Sequence, residues 1–282
     1  MNLKIINSKF KHIIENRKSH IPTSKNYIKL KNYFKSYFKD HLIKKKSNFY
    51  LPSIGNFKLP FYSMGNINSS HLLGLDEIII FTFYILRKNQ IKKVADLGAN
   101  IGMHSIILGK LGFKVRSYEP DPDHALQFKK NIQLIKLKNI SLVKKAVDTK
   151  IGNVVFTKII NNTTGSFIKK AKKKTYGPIK QFKVKTEKFS NILKWADLIK
   201  MDVEGLEADL IKSIKSKNLK NKEIILEVGS KINAKKIFGY SKLNKYNLYS
   251  QKTAWGKVKN LSDMPISYKD GSVIISLQDK LR

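Results

Sequence analysis

Two glycines in a short turn are the first residues of this sequence whose spacing suggests chemistry. Gly98 and Gly102 follow an apolar run, Lys93–Leu97, and precede a second apolar stretch with helical spacing. A strand, a glycine turn and a helix can form a ligand site, because the first N–H groups of a helix have no partner inside it. The segment therefore predicts a ligand that lies against main-chain atoms.

The spacing of this turn differs from that of dinucleotide-binding proteins. Asp96 comes just ahead of Gly98-x-x-x-Gly102, whereas the dinucleotide fingerprint is G-x-G-x-x-G. An acid at this place favours a sulfonium amino acid that carries an ammonium and a ribose, such as S-adenosylmethionine. Glu119 ends the next predicted strand, where its carboxylate can accept hydrogen bonds from both ribose hydroxyls. We prefer this interpretation to a capping role for Asp96 and a surface position for Glu119.

Acids also follow two later strands, at Asp202 and Glu227, and Glu204 lies near the start of a helix. In an open α/β sheet, ligands lie outside the carboxyl ends of the parallel strands. Four strand-end acids are therefore expected to meet at one edge of the sheet: Asp96, Glu119, Asp202 and Glu227. We predict that Asp202 is a general base or a metal ligand, supported by Glu204 and Glu227. The same three acids suit a hydrated Mg²⁺ ion, although Glu204 also suits a helix cap.

His104 lies in the first turn of the helix that follows the glycines, beside the expected cofactor. Imidazole has the side-chain pKa nearest to neutrality, which makes His104 a further catalytic candidate. A buried histidine whose ring nitrogens are satisfied by structural hydrogen bonds is the alternative.

Five segments of the chain match one known set of motifs. They are DLGANIG at Asp96–Gly102, YEPDP at Tyr118–Pro122, KKAV at Lys144–Val147, KMDVEGLE at Lys200–Glu207 and LEVG at Leu226–Gly229. Over about residues 73–277 the chain resembles FkbM-type methyltransferases, a class I family that uses S-adenosylmethionine. The resemblance implies an O-methyltransferase that acts on a hydroxyl of a sugar, glycan or small metabolite. It also implies cofactor contacts from Asp96, Gly98, Ala99, Asn100, Gly102, Glu119, Pro120, Ala146 and Val147.

Length and composition favour one sizeable α/β domain, residues 73–282, preceded by a basic extension, residues 1–72. The 282 residues are 41% apolar, which can fill such a core. The chain has no cysteine, which excludes disulfides, thiolate zinc sites and a cysteine nucleophile and fits a cytoplasmic location. No secretory signal is visible, and the longest apolar run, Ile78–Leu86, is shorter than the ~20 residues of a membrane span.

The formal net charge of +36 does not by itself predict specific nucleic-acid binding. Only four of the 56 basic residues are arginine, and base-reading and bidentate phosphate sites favour the guanidinium fork. Weak, salt-sensitive binding to polyanions is expected. The acceptor that the family resemblance implies is a small molecule or a glycan, with an RNA or protein methyltransferase and a non-catalytic binding module as alternatives. The sequence does not indicate an oligomeric state.

The predicted fold is a Rossmann-like α/β fold with a mostly parallel, seven-stranded sheet and helices on both faces. Apolar runs predict core strands at 93–97, 114–118, 140–147, 198–201, 224–228, 246–249 and 273–277. Two further strands are predicted at 153–157 and 182–186. The family resemblance implies that the last strand is antiparallel.

The N-terminal extension carries an aromatic stripe with helical spacing. Its members are Leu30, Tyr33, Phe34, Tyr37, Phe38 and Leu42. We expect this stripe to pack on the catalytic domain or on a partner subunit. Peripheral contact with a membrane surface is the alternative.

A long insertion, Ile160–Pro178, separates two of the predicted strands and contains NNTTGS at Asn161–Ser166. It also holds a lysine run of Lys169, Lys170, Lys172, Lys173 and Lys174. A solvated loop and a site for an anionic acceptor, such as a phosphorylated or carboxylated sugar, are equally favoured for this run.

Overall fold

The computed structural model describes residues 3–43, 48–172 and 175–281. The chain begins with two helices, a short antiparallel hairpin and a third helix. These are α1 (Leu3–Glu15), α2 (Lys25–Ile43), β1 (Asn48–Leu51), β2 (Gly55–Lys58) and α3 (Leu75–Arg87).

The aromatic stripe of α2 faces the interior of the molecule. Leu30, Phe34 and Phe38 are buried in one apolar core together with residues of α1, α3 and the large sheet. Leu42 lies outside the residues whose side chains are described. The prediction that the stripe packs on the catalytic domain is confirmed, and the lysines of α2 remain at the surface. None of the described helices is long and apolar enough to cross a bilayer.

The rest of the chain alternates strands with helices. In order, the elements are β3 (Lys93–Leu97), α4 (Met103–Lys110), β4 (Lys114–Tyr118), α5 (Pro122–Ile135), β5 (Ile140–Val143), β6 (Ala146–Asp148), β7 (Gly152–Ile159), β8 (Phe167–Ile168), β9 (Ile179–Lys188), α6 (Phe189–Trp195), β10 (Leu198–Met201), α7 (Glu207–Lys212), β11 (Glu223–Glu227), α8 (Lys231–Leu243), β12 (Asn247–Ser250), β13 (Gly256–Lys257) and β14 (Ser272–Ser276).

The large sheet has the strand order β13-β12-β14-β11-β10-β3-β4-β5. Its five strands from β11 to β5 are parallel, and β14 is antiparallel to both of its neighbours, as predicted for the last strand. Seven strands were expected and eight are present in the described chain. The additional strand is the two-residue β13, which pairs with the end of β12.

Alternate residues of the central strands enter two different cores. Val94 packs into the core that contains α1 to α4, whereas Ala95 and Leu97 pack into a second core with α6, α7 and α8. Because successive side chains of a strand point to opposite faces, this division means that helices cover both faces of the sheet. The predicted Rossmann-like fold class is therefore confirmed.

The strand predicted at 140–147 is divided in two. β5 ends at Val143, and β6 begins at Ala146 in a separate sheet with the order β6-β9-β7-β8. The chain turns at Lys145, whose N–H bonds back to the carbonyl of Val143 at 2.9 Å and whose Nζ contacts Glu187 of β9 at 3.0 Å. The strands predicted at 153–157 and 182–186 are β7 and β9, which pair antiparallel along their length.

The register of the parallel strands brings their carboxyl ends to one edge. Leu97 at the end of β3 pairs with Met201 of β10 on one side and with Tyr118 of β4 on the other. The chain leaves β3 in one direction towards β4 and β5, while β10 leads in the other direction to β11. Such a switch point in the strand order opens a crevice outside the strand ends.

Candidate active site

A cavity of about 1230 Å³ lies at this edge of the sheet. All but two of the residues predicted as cofactor, metal or catalytic residues line it. Those on the cavity wall are Gly98, Ala99, Asn100, His104, Glu119, Pro120, Ala146, Val147, Asp202, Glu204 and Glu227. The two exceptions are Asp96 and Gly102.

Asp96 is fully buried behind the cavity wall. Its Oδ2 accepts a hydrogen bond from the Ser105 hydroxyl at 2.6 Å, while Oδ1 has no hydrogen-bond partner and lies 4.0 Å from Lys200 Nζ. Asp96 therefore acts on the cavity through the charge of Lys200 and does not reach into it.

The two glycines of the turn are required by protein packing. Gly98 has φ +76°, and a β-carbon there would lie 1.8 Å from the main-chain oxygen of Asp202. Gly102 has φ +93°, and a β-carbon there would lie 2.7 Å from the ring of Phe128. The sequence suggested room for a ligand at these positions, but the atoms that approach them belong to Asp202, the residue after β10, and to Phe128 of α5.

Glu119 is held rigidly at the end of β4 and is only 4% exposed. Its Oε2 accepts the main-chain N–H of Asn100 at 2.7 Å, and its Oε1 accepts that of Asp121 at 2.8 Å. Burial raises the pKa of Glu119 to about 8. The two N–H donors favour the carboxylate and so oppose this rise in pKa. Each oxygen keeps a lone pair for a further donor, so the group fits the two hydroxyls of a ribose.

Apolar side chains adjoin Glu119 on the same wall. Ala99, Ala146 and Val147 are each at most 5% exposed and line the cavity together with Pro120. An apolar wall beside a carboxylate that can bind two hydroxyls fits the base and ribose of a nucleoside. The residues present thus fit the adenosyl part of S-adenosylmethionine.

Lys200 is a site residue that the sequence interpretation did not include. Its Nζ lies 3.2 Å from Asp202 and is largely buried in the cavity wall. Burial opposes the charged form, but the carboxylates of Asp202, Asp96 and Glu77 raise the pKa of Lys200 above its usual value. Lys200 and Asp202 are two residues apart at the end of a strand, and side chains at this spacing share a face of the sheet. The sequence spacing could therefore have predicted that Lys200 lies beside Asp202.

Glu204 lies in the sharp turn between β10 and α7. Its φ is +56° and that of Gly205 is +106°, as expected for a chain that turns abruptly here. Its carboxylate contacts Lys172 of the lysine run at 2.5 Å. Burial and the charge of Asp202 raise the pKa of Glu204 to about 7, and Lys172 opposes this shift. Lys173 and Lys174 of the run lie outside the described residues.

Glu227 ends β11 and lines the cavity, and its side chain has no hydrogen bond or ion pair to any described residue. Burial raises its pKa well above the usual range, and the charges of Asp202, Glu77 and Glu204 add to the shift. The result is a cavity-facing carboxyl group that is more basic than an ordinary glutamate.

The predicted magnesium site is not supported. Within the described ranges no three histidine or acidic side chains lie close enough to hold a metal ion. Lys200 and Lys172 contact Asp202 and Glu204, so ammonium groups occupy the positions from which these carboxylates would bind a cation. The donor set proposed from the sequence therefore does not fit Mg²⁺.

Both ring nitrogens of His104 are engaged. Nε2 lies 2.7 Å from Glu77 Oε2, and Nδ1 lies 2.9 Å from the buried hydroxyl of Tyr84. Burial acts to raise the pKa of Glu77, but the charge of His104 and this hydrogen bond lower it overall. The arrangement matches the structural alternative for His104, and it places Glu77, which the sequence interpretation missed, on the cavity wall.

The insertion and the lead-in to α3 together close one side of the cavity. The N–H of Asn66 bonds to the carbonyl of Asn161, and that of Thr163 bonds to the carbonyl of Met64. Residues 162–166 of the NNTTGS segment line the cavity, as do Ile67, His71 and Leu72. Pairing between segments about 100 residues apart has no short-range sequence signal, which is why this wall was not predicted.

Comparison with known proteins identifies the family. Residues 96–248, more than half of the chain, match the family model described as the methyltransferase FkbM domain. No significant match was found among curated protein sequences.

Three similar solved structures are named as methyltransferases or methylases and share little sequence identity with this chain. Precorrin-6y C5,15-methyltransferase from Geobacter metallireducens GS-15 is 13% identical, with 70% of this chain and 84% of that chain covered and a TM-score of 0.38. The ribosomal protein L11 methylase from Lactobacillus delbrueckii subsp. bulgaricus is 15% identical, with coverage of 69% and 75% and a TM-score of 0.37. The SAM-dependent methyltransferase from Agrobacterium tumefaciens is 11% identical, with coverage of 69% and 58% and a TM-score of 0.40.

The family model includes the glycine turn, Glu119 and the acids from Asp202 to Glu227, which are the parts of the chain that build the cavity. The protein therefore belongs to the FkbM family of S-adenosylmethionine-dependent methyltransferases.

Proposed function

We propose that this methyltransferase acts on oxygen, at a hydroxyl of a sugar, glycan or other small metabolite, and that Glu227 is its general base. The carrying observation is that Glu227 faces the cavity without a partner among the described residues, while burial and neighbouring acids raise its pKa. Asp202, the first choice from the sequence, is already engaged by Lys200.

We also propose a cytoplasmic location, in keeping with the cysteine-free sequence.

When bound, S-adenosylmethionine supplies an electrophilic methyl group on a positively charged sulfur. The acceptor oxygen would take this methyl group while the carbon–sulfur electron pair stayed on sulfur, and Glu227 would accept the hydroxyl proton. Glu119 and the apolar wall fix the adenosyl end, which sets the direction of attack. The ammonium group of Lys200 offsets part of the negative charge of Asp202 and Asp96 beside the reacting groups.

The direct test follows the labelled methyl group of S-adenosylmethionine. Purified protein is incubated with neutral and charged sugars, total RNA and a protein mixture, and the products are separated and identified by mass spectrometry. Transfer to a hydroxyl of a sugar or small metabolite supports the proposal. Transfer only to RNA, to protein nitrogen or to carbon contradicts it.

The base assignment is tested with Glu227→Gln, which keeps the shape of the side chain and removes its basicity. We expect kcat to fall by about 10²–10⁴, the usual contribution of a general base, with unchanged affinity for the cofactor. In the wild type, kcat rises with pH as Glu227 loses its proton, and the variant lacks this rise. Asp279→Asn, at a 93% exposed carboxylate, serves as the matched control. An unchanged pH profile in Glu227→Gln would assign the base to another residue.

Cofactor binding is measured by calorimetric titration of S-adenosylmethionine and NAD. We expect binding of the sulfonium compound alone, and at least tenfold weaker binding in Glu119→Ala, since Glu119 offers the ribose its two acceptors. Retention of full affinity in the variant would show that the ribose lies elsewhere.

A further inference from the structure

The lysines of the active-site cavity are mostly neutralised by acids of the same chain. Five lysines line the cavity, and no arginine does so in the described residues. Four of them contact carboxylates: Lys145 with Glu187 at 3.0 Å, Lys170 with Asp148 at 2.6 Å, Lys172 with Glu204 at 2.5 Å and Lys200 with Asp202 at 3.2 Å. The fifth, Lys236, is exposed. Of the described lysines in the run, Lys170 and Lys172 therefore line the cavity as members of ion pairs.

Acidic side chains also line the cavity wall. In the part of the chain that the structure describes, the five lysines are met by six of these acids: Glu77, Glu119, Asp202, Glu204, Glu207 and Glu227. To bind any of the four paired lysines, a phosphorylated or carboxylated acceptor would have to separate an existing ion pair, and it would meet the unpaired Glu227. Both effects cost free energy where the charges are partly desolvated. An anionic acceptor, one of the two readings of the lysine run, is therefore disfavoured.

Two exposed aromatic rings line the same cavity. Tyr176 is 54% exposed and Tyr268 is 64% exposed, although both belong to the cavity wall. The Tyr176 hydroxyl accepts a hydrogen bond from Asn162 Nδ2 at 3.2 Å, which fixes the ring over the NNTTGS segment. Tyr268 also lines an adjoining cavity of about 230 Å³ that shares Glu77, Lys200 and Glu227 with the large one. Exposed rings at the wall of a polar cavity provide apolar contact area for a ligand that is otherwise polar.

Building on the proposed function, we propose that the acceptor is an uncharged, polyhydroxylated ring, a neutral sugar unit. Tyr176 and Tyr268 contact the apolar C–H face of this ring, and the cavity's carboxyl groups bind its hydroxyls. A hydroxyl both donates and accepts hydrogen bonds, so it can bind a carboxyl group in either protonation state. Glu204, whose pKa is raised to about 7, is such a group near neutrality.

The proposal is tested by binding rather than turnover. The full-length protein, saturated with S-adenosylhomocysteine, is applied to an array of matched neutral, phosphorylated and carboxylated glycans. We expect neutral members to bind at least tenfold more tightly than their charged counterparts. Preference for the charged members, or binding to no neutral glycan, would overturn the proposal.

Variants of the two tyrosines distinguish specific contact with the aromatic rings from nonspecific binding of glycans. Tyr176→Ala and Tyr268→Ala are each expected to weaken binding to neutral glycans at least tenfold, whereas Tyr176→Phe and Tyr268→Phe, which keep the ring, retain it within about threefold. Phe61→Ala is the matched control, because Phe61 is 61% exposed and lies outside the cavity. Equal binding by the alanine and phenylalanine variants would contradict the role of the rings.

Cofactor titration of the same samples distinguishes failure of the proposed methyltransferase function from failure of the proposed acceptor class. A protein that fails to bind S-adenosylmethionine contradicts the proposed function itself. A protein that binds the cofactor and methylates a charged hydroxyl compound in preference to a neutral sugar contradicts only the acceptor class.

Discussion

Single residues in this site owe their chemistry to neighbours rather than to residue type. The chain has 20 acids in all, and six of them line one cavity. Glu119 is oriented by two main-chain N–H groups, Glu204 is paired with a lysine, and Glu227 has no described partner. Three glutamates with the same intrinsic pKa are therefore suited to three different tasks: binding hydroxyls, holding a loop and accepting a proton.

Glu119 should make stability depend on pH. Its folded-state pKa of about 8 lies above the value of ~4.3 in an unfolded chain. Between these values the folded protein holds a proton that the unfolded chain has lost, so the contribution to stability is complete below pH ~4.3 and disappears as pH rises through 8. We expect the free energy of unfolding in urea to fall from pH 5 to pH 8.5, and to fall less in Glu119→Gln. The difference is at most roughly 1.4 kcal/mol per pH unit. Parallel curves for the two proteins would contradict this expectation.

At the scale of elements, the site is the place where strand ends and turns fit tightly together. The end of β3 lies against the end of β10 so closely that Gly98 has no room for a side chain. The turn after β10 is held by Glu207 of α7, whose carboxylate accepts the N–H groups of Val203 and Gly205 and the side-chain amide of Asn233. The positions of Asp202 and Glu204 thus depend on packing at Gly98 and on one buried carboxylate.

Replacement of Gly98 tests the close approach of β3 and β10. Gly98 and Gly112 both have positive φ, at +76° and +91°, but only Gly98 has a neighbour at the β-carbon position. Gly112→Ala should cost about 1–2 kcal/mol for the left-handed conformation alone. Gly98→Ala should cost about 1–3 kcal/mol more, because Asp202 must move. Urea unfolding of both variants measures the difference, and equal losses would show that the contact is relaxed in solution.

Removal of the Glu207 carboxylate tests whether this group stabilises the turn between β10 and α7. Glu207 is 2% exposed, so Glu207→Ala leaves the N–H groups of Val203 and Gly205 without their acceptor and should destabilise the protein by about 3 kcal/mol. Asp209→Ala on the exposed side of the same helix should change stability by no more than about 0.5 kcal/mol. We also expect kcat to fall in Glu207→Ala, since Asp202 and Glu204 lose their support. Similar stability losses in the two variants would exclude a special role for Glu207.

At the scale of the whole molecule, the N-terminal extension is joined to the far end of the chain. Trp255 donates its ring N–H to His20 Nδ1 at 2.8 Å, and the side-chain amide of Gln251 donates to the main-chain carbonyl of His20 at 3.1 Å. One apolar core runs from Ile6 in α1 to Ile274 in β14. The extension therefore contributes to the same core as the catalytic sheet.

Local sequence patterns were sufficient to predict the core strands but not the contacts that build the cavity. The runs Lys93–Leu97, Lys114–Tyr118 and Leu198–Met201 were predicted with the bounds that the structure has, because each is a short apolar run between clear breaks. The run at 140–147 was apolar enough to suggest one strand, and only the partners of Lys145 reveal two.

The contacts that define the chemistry join residues distant in sequence. Glu77 reaches His104 across 27 residues, and Lys172 reaches Glu204 across 32. No periodicity encodes such pairs, so the sequence suggested a metal at three acids, two of which, Asp202 and Glu204, are in fact paired with lysines. The strand-end rule nevertheless placed Glu119, Asp202 and Glu227 on one cavity, because it depends only on parallel register.

Because α2 and the catalytic sheet share one apolar core, a core mutation in α2 should destabilise the entire protein in one cooperative step. Phe34 is fully buried, and Phe34→Ala should cost about 3–5 kcal/mol, as in other large-to-small core substitutions. Trp255 lies beside the N-terminal segment, whereas Trp195 packs against Arg116 near the second core. Single-tryptophan backgrounds, Trp195→Phe and Trp255→Phe, therefore report on the two cores separately. If the extension and the sheet share one cooperative core, Phe34→Ala lowers both fluorescence midpoints in urea by the same amount, while the exposed-site variant Phe61→Ala lowers neither. An early transition seen only by Trp255 would instead mean that the extension unfolds by itself, since the sheet around Trp195 would then keep its own midpoint.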